Sequence, residues 1–354
     1  MTSQSLALLL SKENLSKDEI VTLLGLTSED DRAALFKRAD EVRARYLGDE
    51  VHLRGIIEIG NECDRHCLYC GLRRPNTGLI RYRMSCDEII ENAIAIAALP
   101  VHTIVLQSGE AQTHAPEELA YVIREIRKKT DAALTLSFGE WEADDYRSWF
   151  EAGADRYLLK HETMNRDLFR RLKPDSDLDN RIGCLRTLKD IGFQVGTGNM
   201  VGLPGQTLED IADDIMFCRE LEADMSTFGP FIASPFTPLS DEKNGSVELS
   251  LNTIAVARLV LHDTHIPANT AIATLDPRGR ERALCCGANV VMPNFTPSAY
   301  RIHYQIYPHR KCITDEPLVC NGCIRGMITG LGRTVSDGRG DTRKQVQKDS
   351  HHLE

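Results

Sequence analysis

The stretch Leu53-Arg-Gly-Ile-Ile-Glu-Ile-Gly-Asn61-Glu-Cys-Asp-Arg-His-Cys-Leu-Tyr-Cys-Gly71 joins a β-like apolar run to a loop carrying Cys63, Cys67 and Cys70 in C-x3-C-x2-C spacing. Soft thiolates bunched this closely are typical ligands for zinc or an iron–sulfur cluster. A closed structural zinc site takes four protein ligands, and no neighbouring His or Cys is well placed to complete the set. His66 adjoins Cys67 and would need the chain to fold back sharply. Three ligands leave a fourth metal position open to something that reacts. The loop therefore reads as a reactive centre at the end of a strand.

From residue 51 the chain alternates short β-like runs with amphipathic helical stretches. The runs lie at 53–59, 103–107, 133–138, 156–159, 194–201, 225–232, 269–274 and 288–292, with helices at 86–98, 116–129, 143–152, 208–221 and 251–262. Such alternation over roughly 240 residues suits a closed (β/α)8 barrel better than an open doubly wound sheet. The expected fold class is α/β: a TIM-type barrel over 51–295, an N-terminal helical extension over 1–50 and a C-terminal extension over 296–331. In the first extension Ser16 and Glu19 have capping-box spacing, and Thr27 or Ser28 would cap another helix. Leu35, Ala39, Val42 and Tyr46 then recur at helical spacing before Gly48, and the segment is expected to cover one end of the barrel. Residues 332–354, rich in Gly, Asp, Arg and Lys without periodicity, read as a mobile tail. In this fold the chemistry sits at the C-terminal ends of the strands, where the cysteine loop also lies.

The 354 residues are 42% hydrophobic and 27% charged, with a net charge of −10. That allows a sizeable core and an ordinary water-facing surface. With no basic stripe interleaved with aromatics, it argues against a nucleic-acid partner. The cysteine count of 11, odd in a chain this long, makes no disulfide scaffold. No apolar run reaches about 18 residues, so no membrane span is expected. The run at 6–10 is too short for a secretory signal and has no cationic stretch ahead of it. Together these suit a cytoplasmic protein with reduced thiols.

Polar residues cluster at the expected strand ends. Gln107-Ser108-Gly109-Glu110 pairs a glycine, which permits close approach, with a carboxylate that accepts from an ammonium; a capped turn is the plain alternative. Glu162 and Arg181 are a carboxylate and a guanidinium suited to hydroxyls and a carboxylate of a ligand, and Ser137 adds a polar contact. The glycines from Gly196 to Gly205 have the wrong spacing for a dinucleotide fingerprint and read as a strand that lets a ligand approach. Cys312, Cys320 and Cys323 form a second group, C-x7-C-x2-C, open to an iron–sulfur cluster, to zinc or to idle thiols. Cys86, Cys184, Cys218, Cys285 and Cys286 read as packing residues.

The triplet, with Tyr69 before its last cysteine, resembles the radical S-adenosylmethionine (SAM) superfamily, and Ser108-Gly109-Glu110 partly resembles its "GGE" element. Longer runs are similar to the FeFe-hydrogenase maturases of the HydE type: Arg81-Tyr-Arg-Met84, Val105-Leu-Gln-Ser-Gly-Glu110, Ala154-Asp-Arg-Tyr-Leu-Leu159, His161-Glu-Thr163, Met200-Val-Gly-Leu-Pro-Gly-Gln206 and Gly287-Ala-Asn-Val-Val-Met-Pro-Asn294. The resemblance spans about residues 30–330 and takes in the second cysteine group, which only some members carry. It implies a 4Fe-4S cluster on Cys63, Cys67 and Cys70 that binds SAM and splits it reductively to a 5′-deoxyadenosyl radical. The radical would act on a cysteine-bound Fe(CO)(CN) precursor during assembly of the hydrogenase diiron site. It further implies SAM contacts from Tyr69, Gln107, Ser108, Glu110, Ser137, Glu162, Arg181, Met200, Pro230, Ile232 and Tyr304. Arg54, Met225, Thr270, Thr274 and Met292 would line the substrate cavity, and the second group would hold a 2Fe-2S or 4Fe-4S cluster. Implied partners are an organometallic small molecule, an electron donor such as ferredoxin or flavodoxin, and other maturation proteins. Lys160 stands where the family often has Arg. Two alternatives remain: a sister enzyme such as methylornithine synthase, acting on lysine, and a non-catalytic iron–sulfur carrier.

Overall fold

The computed structural model describes residues 2–344. Local signals set its N-terminal helices, α1 (Ser3–Leu10), α2 (Lys17–Leu24) and α3 (Glu29–Leu47). Ser16 and Glu19 close the capping box, with Ser16 N donating to Glu19 Oε2 at 2.9 Å. Ser28 rather than Thr27 caps α3, and Leu35, Ala39 and Val42 on it are buried.

Two strands, β1 (Glu50–Leu53) and β2 (Gly55–Gly60), replace the single expected first run, with a break at Arg54. β2 leads a six-stranded parallel sheet that continues, in sequence order, through β3 (Thr103–Ser108), β4 (Ala133–Ser137), β5 (Arg156–Leu158), β6 (Gln194–Val201) and β7 (Met225–Pro230). Helices α4 (Cys86–Ala97), α5 (Pro116–Arg127), α6 (Ala143–Glu151), α7 (Arg166–Leu172), α8 (Leu178–Ile191), α9 (Leu208–Glu220) and α10 (Val247–Leu261) join the strands from outside. α10 is buried along most of its length because α2 and α3 cover its outer side. Asn252 fastens the layers by donating to Leu24 O at 3.1 Å and Leu26 O at 2.9 Å. The extension expected to cover an end thus packs on the outer helices α9 and α10.

The circle closes through short pairings. Met225 bridges His265, Pro267 bridges Val290 and Ile56 bridges Asn294, all in parallel. The eight-stave α/β barrel expected from the sequence is present, but its seventh stave is not the expected run at 269–274. Asn269 instead caps α11 (Thr270–Leu275), accepting from Ile272 N at 3.0 Å. A short apolar run with two threonines fits strand and helix equally by periodicity, and the Asn cap decides it. The true stave lies just upstream, kept short by Pro267, which has no N–H for a ladder. Beyond α12 (Gly279–Leu284) the eighth stave reaches regular pairing only at β8 (Val290–Val291).

α13 (Ser298–Arg301), α14 (Pro317–Gly330) and β9 (Thr334–Val335) form the C-terminal segment, β9 pairing in parallel with β1. The chain then crosses the barrel floor, which corrects the expectation of a mobile tail for residues 332–344. Arg156 donates to Arg339 O and Asp341 Oδ1, both at 2.7 Å, and Arg54 to Gly340 O at 3.2 Å. Charges that read as a solvated tail are the partners of buried arginines. The remainder of the expected tail, 345–354, lies outside the described residues. No helix among the described residues is long and apolar enough to cross a membrane.

Candidate active site at the strand ends

The cysteine loop leaves β2 through Asn61, which is fully buried. Its side chain donates to Ile80 O at 2.8 Å and His303 O at 2.7 Å, and accepts from Tyr82 N at 2.8 Å. Arg81 donates to the carbonyls of Asn61, Leu72, Arg73 and Asn76, so one guanidinium grips both flanks of the loop. Leu68 N reaches Leu172 O, at the end of α7, at 2.8 Å. Gly109, just past β3, has to be glycine: a Cβ there would lie 2.1 Å from Glu62 O. The loop's shape is set by the chain itself.

Cys63, Cys67 and Cys70 line one cavity of about 350 Å³. Burial pushes all three thiols up, so metal binding has to displace their protons. Among the described residues no three His, Cys, Asp or Glu side chains converge as ligands of a single ion. A multi-iron cluster suits the arrangement, since each thiolate holds its own iron.

The same cavity is lined by Tyr69, Gln107, Ser108, Glu110 and Ser137, and by Glu162, Arg181, Thr270, Met292 and Tyr304. Met200, Pro230 and Ile232 line an adjoining pocket of about 300 Å³, which shares Tyr69, Cys70, Glu162 and Thr270 with the first. Gln107 Nε2 donates to the Tyr304 hydroxyl at 3.1 Å. Glu162 has a left-handed backbone, φ 68°, at the end of the β5 stave. Strain of this kind collects where a side chain must be aimed. Its buried Oε2 is ion-paired with Lys160 Nζ at 3.1 Å, and the residue lines the cavity.

Glu110 and Arg181 are employed on each other. Arg181 Nη2 donates to Glu110 Oε1 at 2.8 Å, Arg65 Nε to Glu110 Oε2 at 3.0 Å, and Arg181 Nε lies 2.8 Å from Glu140 Oε1. Burial alone would raise the Glu110 carboxyl, but Arg181 and Lys173 hold it well below the usual carboxylate range. Glu110, expected as an ammonium acceptor, anchors this ionic network and also lines the cavity. Arg65, Glu140, Lys173 and Asn269 carry no spacing signal, and only the position of Arg65 inside the cysteine triplet pointed to this region.

Arg54 and Met225 lie deeper, beside a small chamber with Arg156, and Arg54 Nη1 is 3.2 Å from Met225 Sδ. Thr274 lines none of these spaces. One turn beyond Thr270, its hydroxyl donates to Thr270 O at 2.9 Å and accepts from Lys311 N at 3.0 Å. The helix that stands in place of the expected strand is the cause. Of the second cysteine group, Cys320 is buried on α14, Cys323 is exposed, and Cys312 sits in a loop at φ 64°. A thiol hydrogen bond with Cys320 draws Cys312 down, helped by Arg280, whose Nη1 is 3.9 Å away. Cys285 is exposed, against its expected packing role, whereas Cys184, Cys218 and Cys286 are buried.

Comparison with known proteins adds a second line. The radical SAM superfamily pattern matches residues 57–218. The chain is 48% identical over 333 residues to the FeFe hydrogenase maturase subunit HydE of Thermotoga maritima, covering 94% of this chain and 95% of that protein. It is 27% identical over 279 residues to 3-methylornithine synthase of Methanosarcina acetivorans, covering 78% and 79%. Among solved structures, methylornithine synthase (PylB) matches with a TM-score of 0.78 at 22% identity, covering 98% of this chain and 99% of that one. HydG, a maturase of the FeFe hydrogenase, matches with a TM-score of 0.81 at 16% identity, covering 96% and 77%. These two structural likenesses establish the fold alone.

Proposed function

We propose a reaction that starts from one premise: the chain belongs to the radical SAM superfamily and, within it, to the FeFe hydrogenase maturase HydE family. In that reading it is a SAM-cleaving enzyme whose substrate is a cysteine-bound iron carbonyl–cyanide precursor of the hydrogenase diiron site. The observation that carries it is the meeting, on one cavity, of three thiols from a self-supported loop and the Glu162 carboxylate, held by Lys160 at 3.1 Å.

The residues fit a 4Fe-4S cluster, which when bound would supply the electron for reductive cleavage of SAM to a 5′-deoxyadenosyl radical. Cys63, Cys67 and Cys70 would hold it. Glu162 accepts from ribose hydroxyls, and Met200, Pro230 and Ile232 give the adenosine an apolar wall. Gln107, Ser108, Ser137, Tyr69 and Tyr304 complete the cofactor contacts, while Thr270 and Met292 face the space left for substrate. Tyr304, itself buried, helps keep water from the centre. Arg54 and Met225 line a separate small chamber with Arg156, toward the barrel floor. Ferredoxin or flavodoxin supplies the electron, and other maturation proteins take the product. The barrel over 51–295, with its helical and C-terminal extensions, is the working unit, and Cys312, Cys320 and Cys323 form a peripheral second cluster site.

The test is anaerobic reconstitution, reduction and incubation with SAM, with the iron precursor and with lysine as rival substrates. Release of 5′-deoxyadenosine together with consumption of the iron precursor is expected. Formation of methylornithine from lysine would replace the maturase reading. A reconstituted, reduced protein that releases neither 5′-deoxyadenosine nor methionine would point to an iron–sulfur carrier.

A further inference from the structure

The ionic network beneath the cysteine loop does not balance. Arg65, Lys173 and Arg181 supply three cations, whereas Glu110 and Glu140 supply two carboxylates, and the nearby Glu162 carboxylate is paired with Lys160 at 3.1 Å. Both guanidiniums are spent inside the protein. Arg65 donates to Glu110, to Glu140 and, at 3.2 Å, to Asp175 O. Arg181 pairs with Glu110 and Glu140 and donates to Lys160 O at 3.4 Å. Lys173 is different. It is 2% exposed, and its ammonium lies 3.5 Å from a Glu110 oxygen that Arg181 already holds at 2.8 Å. A buried ammonium with so weak a partner is costly unless another anion faces it.

Position indicates which anion. Lys173 follows α7 directly, and the carbonyl before it, Leu172 O, accepts from Leu68 N, next to Cys67. Lys173 lines the same cavity as the three cysteines.

We propose that Lys173 is a positioning residue: a fixed positive charge that offsets the anionic thiolate-bound cluster on its Cys67 side and raises its reduction potential. The proposal rests on the cluster assignment above. Net charge and hydrogen bonds to sulfur are among the factors that set cluster potentials.

The experiment is redox titration of the reconstituted protein without SAM, followed by electron paramagnetic resonance, for the wild type, Lys173→Met and Lys173→Arg. At the wild-type midpoint, Lys173→Met should show the ratio of reduced to oxidised cluster lowered by about tenfold, equivalent to about 59 mV for one electron. Lys173→Arg, which keeps the charge, should stay near the wild type. A fully loaded Lys173→Met with an unchanged midpoint overturns the proposal. So does an unchanged midpoint accompanied by a tenfold loss of SAM affinity, because Lys173 would then serve the ligand's carboxylate instead. Cluster loss in Lys173→Met but not in Lys173→Arg supports a need for charge, and loss in both overturns it in favour of shape. Failure of the wild type to take up any cluster would refute the cluster assignment itself, a result distinct from all of these.

Discussion

Cys63, Cys67 and Cys70 stand on a loop that Asn61 and Arg81 hold in shape, and they face a cavity that the Glu162 carboxylate also lines. Cys312, Cys320 and Cys323 have comparable spacing but other surroundings: one thiol in a left-handed loop, one buried on a helix and one exposed on the same helix. Within the second group, Cys312 and Cys320 hydrogen-bond each other, and the pair draws Cys312 down while it pushes Cys320 up. In the first group burial pushes every thiol up. Spacing brings thiolates near each other; a surrounding scaffold and a ligand space make them a working centre.

The contrast is broken most sharply by removing one thiol. Cys63→Ala, Cys67→Ala or Cys70→Ala should abolish 5′-deoxyadenosine release and lose the cluster's absorbance, because each thiolate holds one iron. Normal yield from any one of them would remove the distinction between the groups. A smaller effect is expected from Glu162→Ala, which leaves the thiols intact and removes the carboxylate that lines the cavity beside Lys160. SAM affinity, read by equilibrium binding, should fall by about tenfold, or about 1.4 kcal/mol, with iron content unchanged. The least effect belongs to the second group. The triple change of Cys312, Cys320 and Cys323 to Ala should cost only the iron bound there, while SAM cleavage and hydrogenase maturation continue. Lost maturation with an intact first cluster would give the second group a role in the reaction.

The triplet, the strand before it and the polar residues at the later strand ends were legible because each is a local pattern: ligand spacing, apolar runs, a glycine beside a carboxylate. The ionic network was not. Arg65, Glu140, Lys173 and Arg181 come from four separate segments, and nothing in their own neighbourhoods marks them as partners. Thr274 was misplaced for a related reason, since the run at 269–274 has no periodicity that separates strand from helix.

By itself the sequence determined the barrel, its helical extension and the three-thiol loop, because alternating apolar runs and close ligand spacing act through neighbours in the chain. Tertiary structure decided how the charges are shared. It tied Glu110 to Arg65 and Arg181, paired Glu162 with Lys160, set Lys173 on the cavity that the cysteines line and drew residues 336–344 across the floor to Arg54 and Arg156. The physical reason is burial. A charge removed from water must find a partner at short range, and which partner it finds depends on the packing of segments far apart in the chain.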